Sequence, residues 1–143
     1  MTIGAILRDK GGDVFTVGPG EDATAIAQAL AQHRIGAALV RDNQGNILGI
    51  VSERDIVRAV AREGAAALSR TARDLMTADL ITVRGETQVS DALGVMTNHR
   101  CRHLPVMEDG RLTGMVSIGD LVKARIAEAE REAENLRAFV TAA

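Results

Sequence analysis

The apolar positions of this chain follow a pattern that is written twice. In residues 14–59 a short apolar stretch ends in Thr16-Val17 and gives way to a polar turn. Ala23, Ile26, Ala27, Leu30 and Ala31 then recur at helical spacing, which marks one face of an amphipathic helix. Two apolar runs follow, 37–40 and 47–51, separated by Arg-Asp-Asn-Gln-Gly. That grammar predicts a strand, a turn and a second strand. Another helix is predicted from near Glu53. Residues 80–124 repeat the series, with Thr82-Val83, then Val89, Ala92, Leu93 and Met96, then the runs 103–107 and 112–116 around Glu-Asp-Gly, and a helix from near Ile118. Pro105 has no N–H to give to a ladder, so its strand is expected to be an edge, or the proline to sit at a strand end.

The two copies align residue by residue. Thr16 meets Thr82 and His33-Arg34 meets His99-Arg100, at an offset of 66. One residue is dropped in the turn near Gln44, and Gly49, Val51-Ser52 and Asp55 then meet Gly114, Val116-Ser117 and Asp120. The lead-in segments match as well, Ile6-Leu7 with Leu75-Met76. The expected fold is therefore α/β: two pseudo-symmetric strand-helix-strand-strand-helix repeats forming one module. The expected division is 2–66 for the first repeat, 67–125 for the second and 126–143 for a C-terminal helical extension. In that extension Ile126, Ala129, Ala133, Leu136 and Val140 are spaced by three and four. Such a seam suits a partner helix, most simply from a second copy of the chain, or packing on its own domain.

Composition narrows the function classes. The 143 residues carry 17 Lys+Arg against 19 Asp+Glu, a net charge of −2 that gives no bulk affinity for nucleic acid or an anionic membrane. Phe15 and Phe139 are the only aromatic residues, so base-stacking platforms are lacking. A single cysteine, Cys101, excludes an intramolecular disulfide and a cysteine-based metal cluster, and reads as a small apolar packing residue. No apolar run approaches membrane-spanning length, and no basic-then-apolar leader opens the sequence; a soluble, cytoplasmic protein is expected.

The candidate chemistry lies where a strand runs into a helix. Gly49-Ile50-Val51-Ser52-Glu53-Arg54-Asp55 and Gly114-Met115-Val116-Ser117-Ile118-Gly119-Asp120 share the Ser-x-x-Asp spacing of a helix N-cap. The same geometry offers unpaired N–H groups, a hydroxyl and a partial positive charge to a phosphate, and a carboxylate to the vicinal hydroxyls of a ribose. Thr16 and Thr82 end their apolar stretches as turn caps or as pocket-lining hydroxyls. Arg102-His103, where the first copy has Gly36-Ala37, is either a solvated pair or a one-sided phosphate clamp. His33-Arg34 and His99-Arg100 suit helix C-termini, and a metal site at His99 and His103 is not expected. The chain has no Ser-His-Asp set, Cys-His pair, GxxxxGK or HExxH, so neither catalytic residues nor a catalytic cofactor are expected.

The repeated Gly-h-h-Ser-x-x-Asp, the His-Arg helix end and the Leu-Pro-Val run at 104–106 resemble tandem cystathionine β-synthase-type (CBS) domains, a Bateman module, over roughly residues 2–125. Ser-Glu-Arg-Asp at 52–55 and the long tail resemble small stand-alone bacterial members. The resemblance implies a regulatory module that binds an adenosyl ligand (AMP, ADP, ATP, NAD(H) or S-adenosylmethionine) in two clefts between the repeats. It implies ribose-holding roles for Asp55 and Asp120, neighbouring Ser52 and Ser117, and base contacts near Thr16 and Thr82. It also implies phosphate contacts from Arg102 and His103 in the cleft of Asp55; the sequence departs from that pattern at Asp120, where Gly36-Ala37 cannot supply the charge unless Arg54 or a residue of a second subunit compensates. A homodimer and an unknown downstream protein are the implied partners. A constitutive dimerisation or docking protein without ligand is the alternative; a small hydrolase or transferase acting on a nucleotide is a third reading.

Overall fold

The structure is a computed structural model that describes residues 1–142. Its elements are α1 (Ile3–Lys10), β1 (Thr16–Val17), α2 (Ala23–His33), β2 (Ala37–Arg41), β3 (Ile47–Ser52), α3 (Glu53–Glu63), a 3₁₀ segment (Gly64–Ser69), α4 (Ala72–Leu75), α5 (Val89–His99), β4 (His103–Glu108), β5 (Arg111–Ser117) and α6 (Ile118–Ala142). The chain forms two compact units, Val14–Leu80 and Met1–Asp13 with Ile81–Ala143. The repeat is confirmed as a mixed α/β architecture with a long C-terminal helix.

In the Val14–Leu80 unit β1 pairs parallel with β2, and β3 pairs antiparallel with β2. Leu39 in β2 donates its N–H to the Phe15 carbonyl at 3.1 Å, next to the Thr16–Leu39 pair that begins β1. Asp22 caps α2 by accepting from the Ala25 N–H at 2.9 Å. Arg34 closes α2 in the left-handed region at φ 54°, with its N–H returned to the last turn. Val17, Ile26, Leu30, Ala38, Val40, Val51 and Ala72 form the core. These are the inward positions of the helix and strand periodicities.

The second unit uses the same positions with one difference. β4 and β5 form a two-stranded antiparallel sheet, and the segment equivalent to β1 is reduced to a parallel bridge between Val83 and Val106. The cause is Pro105, which stands where the first copy has Leu39. Val83 donates to the Pro105 carbonyl at 3.1 Å and accepts from the Met107 N–H at 2.9 Å. Pro105 has no N–H with which to extend that ladder back to Ile81. The proline is buried inside β4, not at its end, and the edge it requires is the point where the ladder stops.

The lead-in helices pack on the opposite copy to the one they precede. α1, which comes before the first repeat, belongs to the unit of the second, with Ile3 N–H on the Thr87 carbonyl at 2.9 Å and Gly4 N–H on the Gly85 carbonyl at 2.8 Å. A Cβ at Gly114 would lie 2.8 Å from a methyl of Leu7 on α1. In the other unit a Cβ at Gly49 would lie 2.6 Å from the Thr77 carbonyl oxygen and 2.8 Å from the Met76 sulfur. Leu7 and Met76 are equivalent residues of the two lead-ins, so the repeated glycine is the seat of a lead-in segment.

Candidate ligand site at the two strand-to-helix junctions

Each repeat ends a strand in serine and begins a helix at the next residue. At the first junction Ser52 accepts from the Asp55 N–H at 3.4 Å. Asp55 Oδ2 accepts in return from the Ser52 N–H at 2.8 Å and from the Ser52 hydroxyl at 3.0 Å. This is a full capping box, the structural role that the spacing predicted. It uses one carboxylate oxygen for both bonds. Asp55 remains half-buried at the positive end of α3, where a negative ligand group is also favoured. It lines a pocket of about 220 Å³ with Arg58 and Arg62, the residues one and two turns farther along α3. Glu63 and Arg70 in that pocket pair with each other through two hydrogen bonds at 2.9 and 2.5 Å.

The second junction has the same serine and aspartate but a different electrostatic partner. Ser117 accepts from the Asp120 N–H at 3.2 Å, and Asp120 Oδ2 accepts from the Ser117 N–H at 2.8 Å. The same oxygen also receives the Lys10 ammonium at 2.6 Å. Lys10 donates further to the Met115 carbonyl at 2.9 Å. Partial burial works to raise the Asp120 pKa, but the Lys10 ammonium and the Ser117 donors outweigh it and hold the carboxyl below its ordinary range. Lys10 was not among the candidate residues. Spacing along the chain gives no signal for it, because the contact depends on α1 belonging to the unit of the second copy.

The other candidates fall around these junctions. β1 runs parallel to β2 and β3 antiparallel, so the start of β1 and the end of β3 lie at one end of the sheet. This places half-buried Thr16 at the same sheet end as Ser52, while half-buried Arg54 stands in the first turn of α3. Thr82 is exposed beside the single Val83 bridge. His103 begins β4 opposite Ser117, and the Arg102 carbonyl accepts the first N–H of α6, from Ile118, at 2.8 Å. The Gly36 carbonyl does the same for Glu53 in the first copy, at 2.9 Å. The backbone at Arg102 is therefore structural, and its exposed side chain is the added feature. Burial raises the Cys101 thiol pKa, in keeping with its packing against the core. Among the described residues no group of three or more His, Cys, Asp or Glu could hold a metal, and no helix is long and apolar enough to cross a membrane.

The CBS domain family model matches residues 3–62 and again 72–127, almost the whole of both repeats. The chain belongs to the CBS-domain family. It is 35% identical over 147 aligned residues to the mitochondrial CBS domain-containing protein CBSX3 of Arabidopsis thaliana, covering 97% of this chain and 71% of that protein. Its fold matches the crystal structure of the CBS-domain containing protein ATU1752 from Agrobacterium tumefaciens with a TM-score of 0.85 and 44% identity, over 87% of this chain and 92% of that one. The CBS domain pair of MJ0100, solved in complex with 5-methylthioadenosine and S-adenosyl-L-methionine, shares the fold at a TM-score of 0.77 and 22% identity, over 90% of this chain and 98% of that one. CBS pairs are in general regulatory and ligand-binding modules, which sets the class of this protein.

Proposed function

We propose that this CBS-domain protein is a regulatory module that senses an adenine nucleotide, of the AMP type, at its Ser-x-x-Asp junctions. The observation that carries the reading is the Asp55 carboxylate. It is oriented by its capping box through Oδ2 alone, at a helix N-terminus, beside a pocket that also holds Arg58 and Arg62. A rigid carboxylate suits a ribose diol, and the guanidinium groups suit a phosphate. The adenosyl compounds bound by the MJ0100 pair support that ligand class. Ser52 and Thr16 complete the proposed first site; Ser117, Asp120 and Thr82 the second; Arg54, Arg102 and His103 supply further positive charge for phosphate. The ligand is held without being chemically changed, and occupancy is passed to a downstream protein by a homodimer working in the cytoplasm.

Calorimetric titration of the whole chain with AMP, ADP, ATP, NAD and S-adenosylmethionine tests this. Saturable binding of at least one, with no turnover, is the expected result; turnover of the bound nucleotide would move the protein to the enzyme class. Constitutive dimerisation is the second reading. It is favoured by a groove of about 510 Å³ on the Val14–Leu80 unit, lined by Ala27, Leu30, Ile35, Ile56 and Val57, and by the exposed apolar residues of α6. An empty titration with an intact dimer would select it.

A further inference from the structure

The two junctions share their sequence motif and differ in who holds the aspartate. Among the described residues Asp55 Oδ2 is bonded by Ser52 alone, whereas Asp120 Oδ2 is bonded by Ser117 and by an ammonium from 110 positions away. Lys10 is the last residue of α1, and its second bond, to the Met115 carbonyl, holds it over the end of β5 two residues before Ser117. A ribose that used Asp120 would have to take the carboxylate from this cation.

We propose that Lys10 determines the ligand specificity of the Asp120 site, admitting a nucleoside there only when it carries a phosphate to which the ammonium can transfer. The proposal rests on the adenosyl reading above. A neutral nucleoside that displaces Lys10 leaves the ammonium with the Met115 carbonyl alone and replaces an ammonium–carboxylate ion pair by hydroxyl-to-carboxylate hydrogen bonds in which only the acceptor is charged. A 5′-phosphate offers the ammonium a new anion at the moment the ribose takes the old one. The Lys10 side chain is 41% exposed, and a lysine is a point charge on a flexible stem, so the exchange needs no backbone movement. Among the described residues no ammonium is bonded to Asp55, and the residue at the lead-in offset is Asp79.

The test is calorimetry with adenosine and AMP on the full chain carrying Asp55→Asn, which removes the first carboxylate charge and keeps an acceptor in the cap. Lys10→Met and Lys10→Arg are then added separately. In the Lys10→Met protein the preference for AMP over adenosine is expected to fall by about tenfold or more, with tighter adenosine binding as a part of the change. Lys10→Arg is expected to keep the preference. If Lys10→Met loosens α1, Lys10→Gln, which preserves a donor for the Met115 carbonyl, gives the same readout. An unchanged preference, or equal losses for both ligands, overturns the proposal. So does an Asp55→Asn chain that binds neither ligand while the unmodified chain binds AMP. Failure of the unmodified chain to bind any adenosyl compound overturns the functional reading itself and this inference with it.

Discussion

Asp55 and Asp120 each serve as a helix cap, and a ligand role must be separated from that service. Asp55→Ala is expected to weaken adenosyl ligand binding by about 10- to 100-fold, the equivalent of a charged hydrogen bond worth about 1.5–3 kcal/mol. A melting curve taken alongside separates this from loss of the cap, which costs about 1 kcal/mol in typical helices. A folded variant with unchanged affinity would leave Asp55 a cap only. Arg102→Ala is expected to reduce AMP binding far more than adenosine binding, since its carbonyl stays in place on α6 and only the guanidinium is removed. Equal losses would make Arg102 a surface residue. The Lys10–Asp120 pair also predicts a pH response. The folded pKa of Asp120 lies below the ordinary 3.8, so the pair's contribution to stability is full above that value and is lost as pH falls through the lower folded value. Lys10→Met should therefore flatten the acid limb of the stability profile, measured as urea midpoints at descending pH. An identical acid limb in both proteins would show that the pair contributes nothing to folding.

The helices and strands follow closely from the periodicities, because a repeated core needs repeated inward positions and turns with Gly and Asp between them. The capping boxes were legible for the same local reason. The missing strand before Val83 was not drawn from the sequence, although its cause is a single residue: Pro105 lies opposite that segment and cannot donate to it. The assignment of α1 to the second copy and the capture of Asp120 by Lys10 were not legible. Spacing states which residues share a face, but not which distant segment covers it. The glycines at the lead-in seats make a graded prediction. Gly49→Ala should destabilise the chain by about 1–3 kcal/mol, because its Cβ meets the Thr77 backbone. Gly114→Ala should cost less, because the end of the Leu7 side chain can move. Urea denaturation of both variants checks the order, and equal costs would contradict it.

At the scale of the whole molecule the chain comprises two compact units and a helix that continues well past its own core. Leu121 and Ala124 are the last buried residues of α6, whereas Leu136, Phe139 and Val140 are 65–75% exposed. We propose that this stretch joins two copies of the chain. Truncation after Arg125, or Leu136→Glu, is expected to shift dimer dissociation to higher protein concentration without unfolding the chain, as read by sedimentation across a dilution series. Dissociation at the same concentration as the intact protein would assign the tail elsewhere. The central claim is that this CBS-domain pair is a sensor of adenine nucleotides, and a melting-temperature panel of adenine and guanine nucleotides on the intact chain tests it most directly. The account predicts stabilisation by an adenine nucleotide, approaching about 2.7 kcal/mol at 100 times its Kd, and a smaller shift in Asp55→Ala. A melting temperature that no adenosyl compound moves at saturating concentration would contradict it.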